Sequence, residues 1–143
     1  MLCENGCMIS VEVQHYLSKA RDFLEGMNFL QEDLKVFRFS SALLGIHCAI
    51  SYSDALRTGM GCSDVSSDDH QSAADDLRSR LAARRFEKLQ GADRLGKLLS
   101  KKSRIAYGAE SPGNAEIQDI VLQAERFAVW AEEAGRKLKI EGW

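Results

Sequence analysis

Apolar residues recur every three or four positions along almost the whole chain, and the alternation of apolar and polar residues that is typical of β-strands is nearly absent. The first such stretch predicts a helix over residues 9–32, with Ser10 capping its N-terminus. One face of this helix is apolar, and we expect it to pack against partner helices. This face carries Val13, Leu17, Ala20, Leu24, Met27 and Leu34.

A second helix is predicted over residues 39–58, and its first half is so rich in apolar residues that no wide polar face remains. We therefore expect it to be the central and most buried helix. It ends at Gly59, because glycine is a common helix terminator. The loop that follows, residues 62–69, offers Ser67 or Asp68 as the cap of the next helix.

The same periodicity predicts three further helices, over residues 69–83, 86–104 and 114–139. Pro112 marks the clearest break in the chain, and Asn114 is placed to cap the last helix. Long helices joined by short breaks favour helices that pack side by side in alternating directions. The predicted fold class is therefore all-α, an up-down antiparallel bundle of four to five helices.

Composition restricts the protein to an ordinary globular class. With 143 residues, 45% of them hydrophobic and 28% charged, the chain fits one domain over residues 1–143, with a core at about 9–139. No apolar run is long enough for a membrane span, and the first residues lack the pattern of a secretory signal, so we expect a cytoplasmic location. The four cysteines are interpreted as free thiols, and no cofactor is indicated.

The charges are segregated along the chain. Residues 78–104 hold ten of the chain's nineteen Lys and Arg residues but only two acids. This basic segment favours an anionic partner such as RNA, a nucleotide or an acidic protein. The alternative is a solvated helix face offset by the five acids of residues 64–76. The candidate anion-binding residues are Arg84, Arg85, Lys88, Lys97, Lys101, Lys102 and Arg104.

Two parts of the chain resemble the HEPN superfamily. Residues 41–50 read SALLGIHCAI and are followed by SDAL at 53–56 and DHQ at 69–71. Residues 101–107, KKSRIAY, and 121–131, VLQAERFAVWA, resemble the end of that family's third helix and its last helix. The resemblance implies a helical bundle that commonly forms homodimers. It also implies either a metal-independent ribonuclease or toxin, or a non-catalytic partner of a nucleotidyltransferase.

The nuclease motif of that family is an Arg followed by a His after four to six residues. Arg104 matches the Arg, but residues 109–111 hold no His, so the general acid-base is missing. Tyr107 matches an aromatic position of the milder branches. We therefore expect a non-catalytic HEPN-like interaction module, or a nucleotide- or RNA-associated one, of a toxin–antitoxin or stress-response system. The alternative is a divergent ribonuclease that uses Arg104 with Glu110, His47 or Tyr107.

His47 lies in the middle of the second helix among apolar neighbours. It is interpreted either as a core histidine bonded to a polar neighbour or as a proton carrier facing Arg104. A second alternative function is a metal-binding bundle, because Glu12 and His15 have the Glu-x-x-His spacing of di-iron bundles. A second copy of that motif is absent from the sequence, and Cys3, Cys7 and His15 are too scattered for a cage, so no metal site is predicted.

Overall fold

All the secondary structure that is described in this protein is helical, which confirms the all-α fold class. The computed structural model describes residues 2–66 and 69–143, with the side chains of residues 2–6 and 70 left aside. A short 3-10 turn, Gln31–Asp33, follows the first helix. The α-helices are α1 Leu2–Leu30, α2 Arg38–Gly59, α3 His70–Ala83, α4 Gln90–Ser100, α5 Lys102–Tyr107 and α6 Asn114–Lys137.

Helix α2 occupies the centre of the bundle, as predicted. A Cβ built on Gly45 of α2 would lie 2.8 Å from Sδ of Met27 in α1 and 3.0 Å from Cβ of Ala124 in α6. Three helices therefore meet closely at this glycine. Farther along, Tyr52 of α2 donates a hydrogen bond of 2.8 Å to Glu132 of α6, so α2 and α6 run in the same direction. Helix α1 is antiparallel to both.

Helix α3 runs in the direction of α2. The contacts that show this are Arg57 with Asp76, at 2.8 Å, and the Met60 carbonyl with Arg80, at 3.1 Å. Helix α4 then runs back, antiparallel to α3 and α6. Alternating directions thus hold for α1 with α2 and for α3 with α4, whereas α2, α3 and α6 are co-directional.

The predicted apolar stripes are the buried faces of their helices. The stripe predicted for the first helix is buried except for Leu24 in α1 and Leu34 after it, which are half-buried. In α6 an apolar face from Ile117 to Ala134 is buried, and Phe127 is completely inaccessible. No described helix combines the length and the apolar character that a membrane span requires.

Several predicted helix ends differ from the observed ones. Helix α1 begins at Leu2, so Ser10 lies inside it and caps nothing, because a preferred cap residue does not by itself stop a helix. Asn114 is the first residue of α6, and Gly113 occupies the cap position. Helix α3 is capped by Asp69, whose carboxylate accepts a bond of 2.8 Å from the Ser72 amide. The predicted caps at residues 67–68 lie outside the described residues.

The predicted fourth helix is divided into two. Helix α4 starts at Gln90, and a break at Lys101 separates it from the short α5. Upstream, α3 ends in a Schellman motif in which the Phe86 amide donates a hydrogen bond of 3.0 Å to the Leu81 carbonyl. This motif places Arg85 at a φ of 56°, in the left-handed region. Phe86 therefore enters the core from a turn rather than from a helix.

Candidate functional site

The four catalytic candidates from the sequence do not converge. Arg104, on α5, forms an ion pair with Glu116 in the first turn of α6. Tyr107, at the end of α5, is 87% exposed, and Glu110 is exposed in the next loop. The described hydrogen bonds and ion pairs join no two of these three residues. The guanidinium of Arg104 is thus already bound to a carboxylate.

His47 lies elsewhere, on the half-buried side of α2. Its ring centroid is 5.8 Å from that of Phe23 on α1, in a tilted arrangement. The cleft beside it is lined by Lys102, not by Arg104. The surroundings of His47 are consistent with the interpretation as a core histidine among apolar neighbours. They do not provide the predicted contact with Arg104.

Five of the ten bases of the basic segment form ion pairs with acids of the same molecule. Only one of these acids, Asp76, belongs to the acidic run that precedes the segment; three come from α6. Helix α6 is therefore the main counter-charge of α4 and α5, which the sequence alone did not indicate. The pairs are Arg78 with Asp93, Arg80 with Asp76, Lys88 with Glu133, Lys101 with Asp119, and Arg104 with Glu116.

The remaining candidate anion-binding residues divide into two groups. Arg84 donates a hydrogen bond of 3.0 Å to the Met60 carbonyl, which closes the end of α2. Within the described part of the chain, the side chains of Arg85, Lys97 and Lys102 have no hydrogen-bond or ion-pair partner. Lys97 borders two grooves, one of about 370 Å³ between α4 and α6 and one of about 510 Å³ between α3 and α4.

The groove between α4 and α6 has mixed charge. Arg94, Lys97 and Lys101 line it together with Asp93 and Asp119. Arg94 donates a bond of 3.0 Å to the Gln123 side chain, which holds its guanidinium at the wall. Three cations against two acids leave a small positive excess, much less than the sequence of the segment suggests.

Two partly buried polar clusters join residues that are distant from one another in the sequence. The first surrounds Arg57, whose side chain is 0% exposed. Its Nε lies 2.8 Å from the Asp76 carboxylate, and its Nη1 lies 3.7 Å from the Asp54 carboxylate. Burial would raise the pKa of Asp76, but the hydrogen bonds from Arg57 and Arg80 hold it below the ordinary value. The sequence around Arg57 does not indicate that its side chain is buried. Its carboxylate partner is nineteen positions away.

The second cluster is centred on Glu132, in the last third of α6. Its carboxylate accepts bonds from Arg21 at 2.8 and 3.0 Å, from the Tyr52 hydroxyl at 2.8 Å and from the Trp143 indole at 3.2 Å. Burial would raise the pKa of Glu132, but the donated bonds of Arg21 and Tyr52 keep it below the ordinary value. The cluster fastens α1, α2 and the C-terminal residues to α6. Its role is therefore structural.

A third feature is an exposed apolar surface at the corner between α1 and α2. We call it the aromatic corner, and it comprises Phe29, Val36, Phe37 and Phe39, which are 77%, 66%, 40% and 42% exposed. Arg38 lies within it, with its guanidinium 5.6 Å from the centre of the Phe39 ring. Large exposed apolar patches on soluble proteins commonly mark interaction sites.

The metal candidates do not form a cage. Glu12 and His15 are exposed and line a groove with Cys62. Among the described residues, no three His, Cys, Asp or Glu side chains are grouped so that they could hold a metal ion. The described cysteines, Cys7, Cys48 and Cys62, are unpaired, as predicted. Burial raises the pKa of the Cys48 thiol to about 12, so it behaves as an apolar core residue.

Comparison of the chain with protein-family models, with curated proteins and with solved structures gives no match. The resemblance to the HEPN superfamily therefore stays a prediction.

Proposed function

We propose that this protein is a non-catalytic helical interaction module, HEPN-like in fold, that acts as a homodimer joined through the aromatic corner. The observation that carries the proposal is the exposure of three phenylalanines and a valine between residues 29 and 39. Single exposed apolar residues are ordinary on protein surfaces, but four within one turn-and-helix corner are not.

The size of the corner suits a modest dimer interface. At about 200 Å² for an aromatic side chain, the exposed fractions correspond to roughly 400 Å² of apolar surface per copy. Two copies face to face would bury about 800 Å² of apolar surface, and the polar rim brings the total near the ~1,200 Å² lower limit of stable interfaces. The corner is therefore large enough to be the centre of an interface.

The charges around the corner favour a second copy of the same chain. Glu32, Asp33 and Lys35 are exposed and have no described partner, and Arg38 is half-buried beside them. This gives two acids and two bases within seven residues of one another. In a two-fold interface the same patch meets itself, so acids of one copy lie opposite bases of the other. A patch of one sign would instead repel its own copy.

The absence of catalysis is supported by the position of Arg104. Its guanidinium pairs with Glu116, and Glu110 and Tyr107 are exposed without contacting it. A phosphate would have to displace the carboxylate before it bound. We therefore place the divergent ribonuclease second, behind the interaction module.

The dimer is tested by sedimentation velocity over a wide concentration range. We expect the wild type to approach twice the chain mass of 15.9 kDa, and Phe29→Glu to remain monomeric with unchanged circular dichroism. The control is Val129→Glu on α6, where the parent residue is equally exposed, at 71%, but stands apart from the corner. A monomeric wild type at high micromolar concentration would refute the proposal, as would equal loss of the dimer in both variants.

The proposed contacts between opposite charges of the two copies can be tested separately. Glu32→Lys and Lys35→Glu should each weaken the dimer, because each places like charges opposite one another. Mixing the two variants should restore association as a heterodimer. If the mixture associates no better than either variant alone, the partner is not a second copy, and an acidic or nucleotidyltransferase-type protein becomes the occupant to seek.

A second candidate function is RNA or nucleotide binding at the groove between α4 and α6, favoured by the unpartnered Lys97. A fluorescent single-stranded RNA should bind with a steep salt dependence, and Lys97→Gln should weaken it while Lys19→Gln, on α1, should not. Cleavage of the same RNA that disappears in Arg104→Ala would instead establish the ribonuclease. Salt-independent binding, or none at low salt, would exclude this candidate.

A further inference from the structure

A further groove lies between the start of α4 and the exposed side of α6. It has a volume of about 470 Å³, and we call it the apolar groove because Leu122, Val129 and Trp130 line it. Leu122 and Val129 are 41% and 71% exposed, and neither belongs to the aromatic corner. Gln90 and Arg94 line both the apolar groove and the groove between α4 and α6, so the two grooves are adjacent.

The two exposed apolar residues are spaced for contact with a helix. Leu122 and Val129 are seven positions apart, which is two turns, so they lie on the same side of α6 about 10 Å from each other. Arg126 lies between them on that side, because it follows Leu122 by four positions and precedes Val129 by three. A helix that packs along α6 presents apolar residues with the same spacing. The apolar groove therefore fits a short partner helix with two apolar anchors.

Three cations along these adjacent grooves have no acidic partner. Arg126 is exposed and makes no hydrogen bond or ion pair among the described residues. Arg94 donates its Nε–H to the neutral side chain of Gln123 at 3.0 Å. Lys97, in the adjacent groove, is exposed and likewise has no described partner. A ligand can therefore approach three positive charges that no acid of the molecule neutralises.

The acids beside these cations are mostly bound to other bases. Glu125 is the exception, since it accepts a hydrogen bond of 2.9 Å from the neutral amide of Gln31. The charge that remains unpaired is thus mainly positive, and it is complementary to a partner with acids beside its apolar anchors. The same surface of a second copy would bring the same surplus of cations. The acids and their bases are Asp93 with Arg78, Asp119 with Lys101, and Glu133 with Lys137.

The apolar residues favour a peptide over RNA. Single-stranded RNA binds to cationic grooves by stacking its bases on accessible aromatic rings. The aromatic residue of the apolar groove, Trp130, is only 6% exposed, and its indole N–H donates a hydrogen bond of 2.9 Å to the Lys88 carbonyl. Leu122 and Val129 have no ring for stacking, but they suit the aliphatic side chains of a helix.

We propose that the apolar groove binds an acidic amphipathic helix of a partner protein. Two aliphatic residues of that helix, seven positions apart, contact Leu122 and Val129, and its carboxylates reach Arg126 and Arg94. The groove shares no residue with the aromatic corner, so the proposal does not depend on the homodimer. A protein with both surfaces connects two copies of itself to a second protein.

The experiment is fluorescence anisotropy of the intact protein with three synthetic helical peptides. The acidic peptide carries two leucines seven positions apart, with glutamates between and beside them. The basic peptide has lysines in place of the glutamates, and the polar peptide has serines in place of the leucines. We expect the acidic peptide to bind saturably and at least tenfold more tightly than either of the others. No saturable binding of the acidic peptide at millimolar concentration, or equal binding of another peptide, would overturn the proposal.

Variants locate the binding surface. Val129→Ser should weaken binding of the acidic peptide about tenfold, whereas Val11→Ser on α1 should not, although Val11 is also exposed, at 64%. Arg126→Glu should weaken binding of the acidic peptide and strengthen that of the basic peptide. The matched control is Lys19→Glu on α1, an exposed site that should leave both nearly unchanged. Equal effects within either pair of variants would refute the assignment.

Two more measurements separate this proposal from the others. Phe29→Glu, which should abolish the homodimer, should bind the acidic peptide as tightly as wild type does. Failure of the homodimer and failure of the peptide site can therefore be told apart. Val129→Ser should leave the binding of single-stranded RNA unchanged, because RNA gains nothing from the apolar residues. If Val129→Ser weakens RNA binding as much as it weakens peptide binding, the apolar groove is a nucleic-acid site and the proposal is wrong.

Discussion

Replacing Glu132 by Gln should destabilise the whole bundle, although Glu132 is a single residue of the last helix. The carboxylate accepts bonds from Arg21 on α1, Tyr52 on α2 and Trp143 at the C-terminus. An amide of the same size keeps the packing but has only one acceptor atom, and its NH₂ group faces donors on the other side. At least one of these donors is then left without an acceptor.

The size of the effect follows from exposure. Arg21 is 52% exposed, so its ion pair contributes at most about 1 kcal/mol. Tyr52 is 1% exposed, and a buried hydroxyl that donates to a carboxylate contributes about 1.5–3 kcal/mol. Because the amide oxygen retains part of this bonding, we expect a net loss of about 2 kcal/mol, or roughly 5–10 °C in the melting temperature of a chain this size.

Urea unfolding followed by far-UV circular dichroism measures this loss. The matched control is Glu133→Gln, the same substitution one residue later, where the carboxylate only pairs with the exposed Lys88 and Lys137. We expect little change in that control. A double-mutant cycle with Tyr52→Phe should show that the two losses are not additive, because both remove the same hydrogen bond.

The pH dependence gives an independent check. The donated bonds hold the folded-state pKa of Glu132 below its unfolded value, which is near 4.3 for an ordinary Glu. The contribution is therefore complete above that value and is lost as the pH falls through the lower, folded-state pKa. The stability difference between wild type and Glu132→Gln should shrink accordingly in acid. A difference that is no larger than that of Glu133→Gln at pH 7, or that persists unchanged to the acid limit, would refute the reasoning.

Three further predictions concern stability and reactivity. Gly91→Ala should lower the free energy of unfolding by about 1–3 kcal/mol, because an added Cβ overlaps the Trp130 ring. In the same helix a Cβ added at Gly96 would have its nearest neighbour 3.7 Å away, so Gly96→Ala should be neutral or stabilising in urea unfolding. Arg85→Gly should stabilise by about 0.5–1 kcal/mol, since φ is 56° there, and an unchanged urea midpoint would contradict this. Cys48 should resist alkylation at pH 8 until the protein is unfolded, as mass spectrometry can show.

Much of the fold was predictable because burial repeats with the helical period. The apolar stripe of the first helix identified its buried face, and the density of apolar residues in α2 identified the central helix. The ends of helices were less accessible to prediction. Ser10 has the chemistry of a cap yet lies within α1, and the turn at Arg85 uses a left-handed residue where glycine is usual.

The polar clusters were not predictable, because their members are distant in sequence. Arg57 is fully buried beside Asp76, and Glu132 joins residues from α1, α2 and the C-terminus. Each of these side chains, taken alone, reads as a solvated residue on a helix. Only the packing of α2 against α3 and α6 brings their partners within hydrogen-bond distance.

The charge pattern shows how a local excess can be satisfied within one molecule. Helices α4 and α5 lie antiparallel to α6, so the bases between Lys88 and Arg104 meet Glu133, Asp119 and Glu116 in reverse order. Half of the ten bases of the segment are therefore paired with acids of the same molecule. Among the described residues, the side chains of Arg85, Lys97 and Lys102 stay unpaired, whereas the aromatic corner is apolar. These two surfaces suit different partners, so the dimer and the binding of RNA can be tested separately.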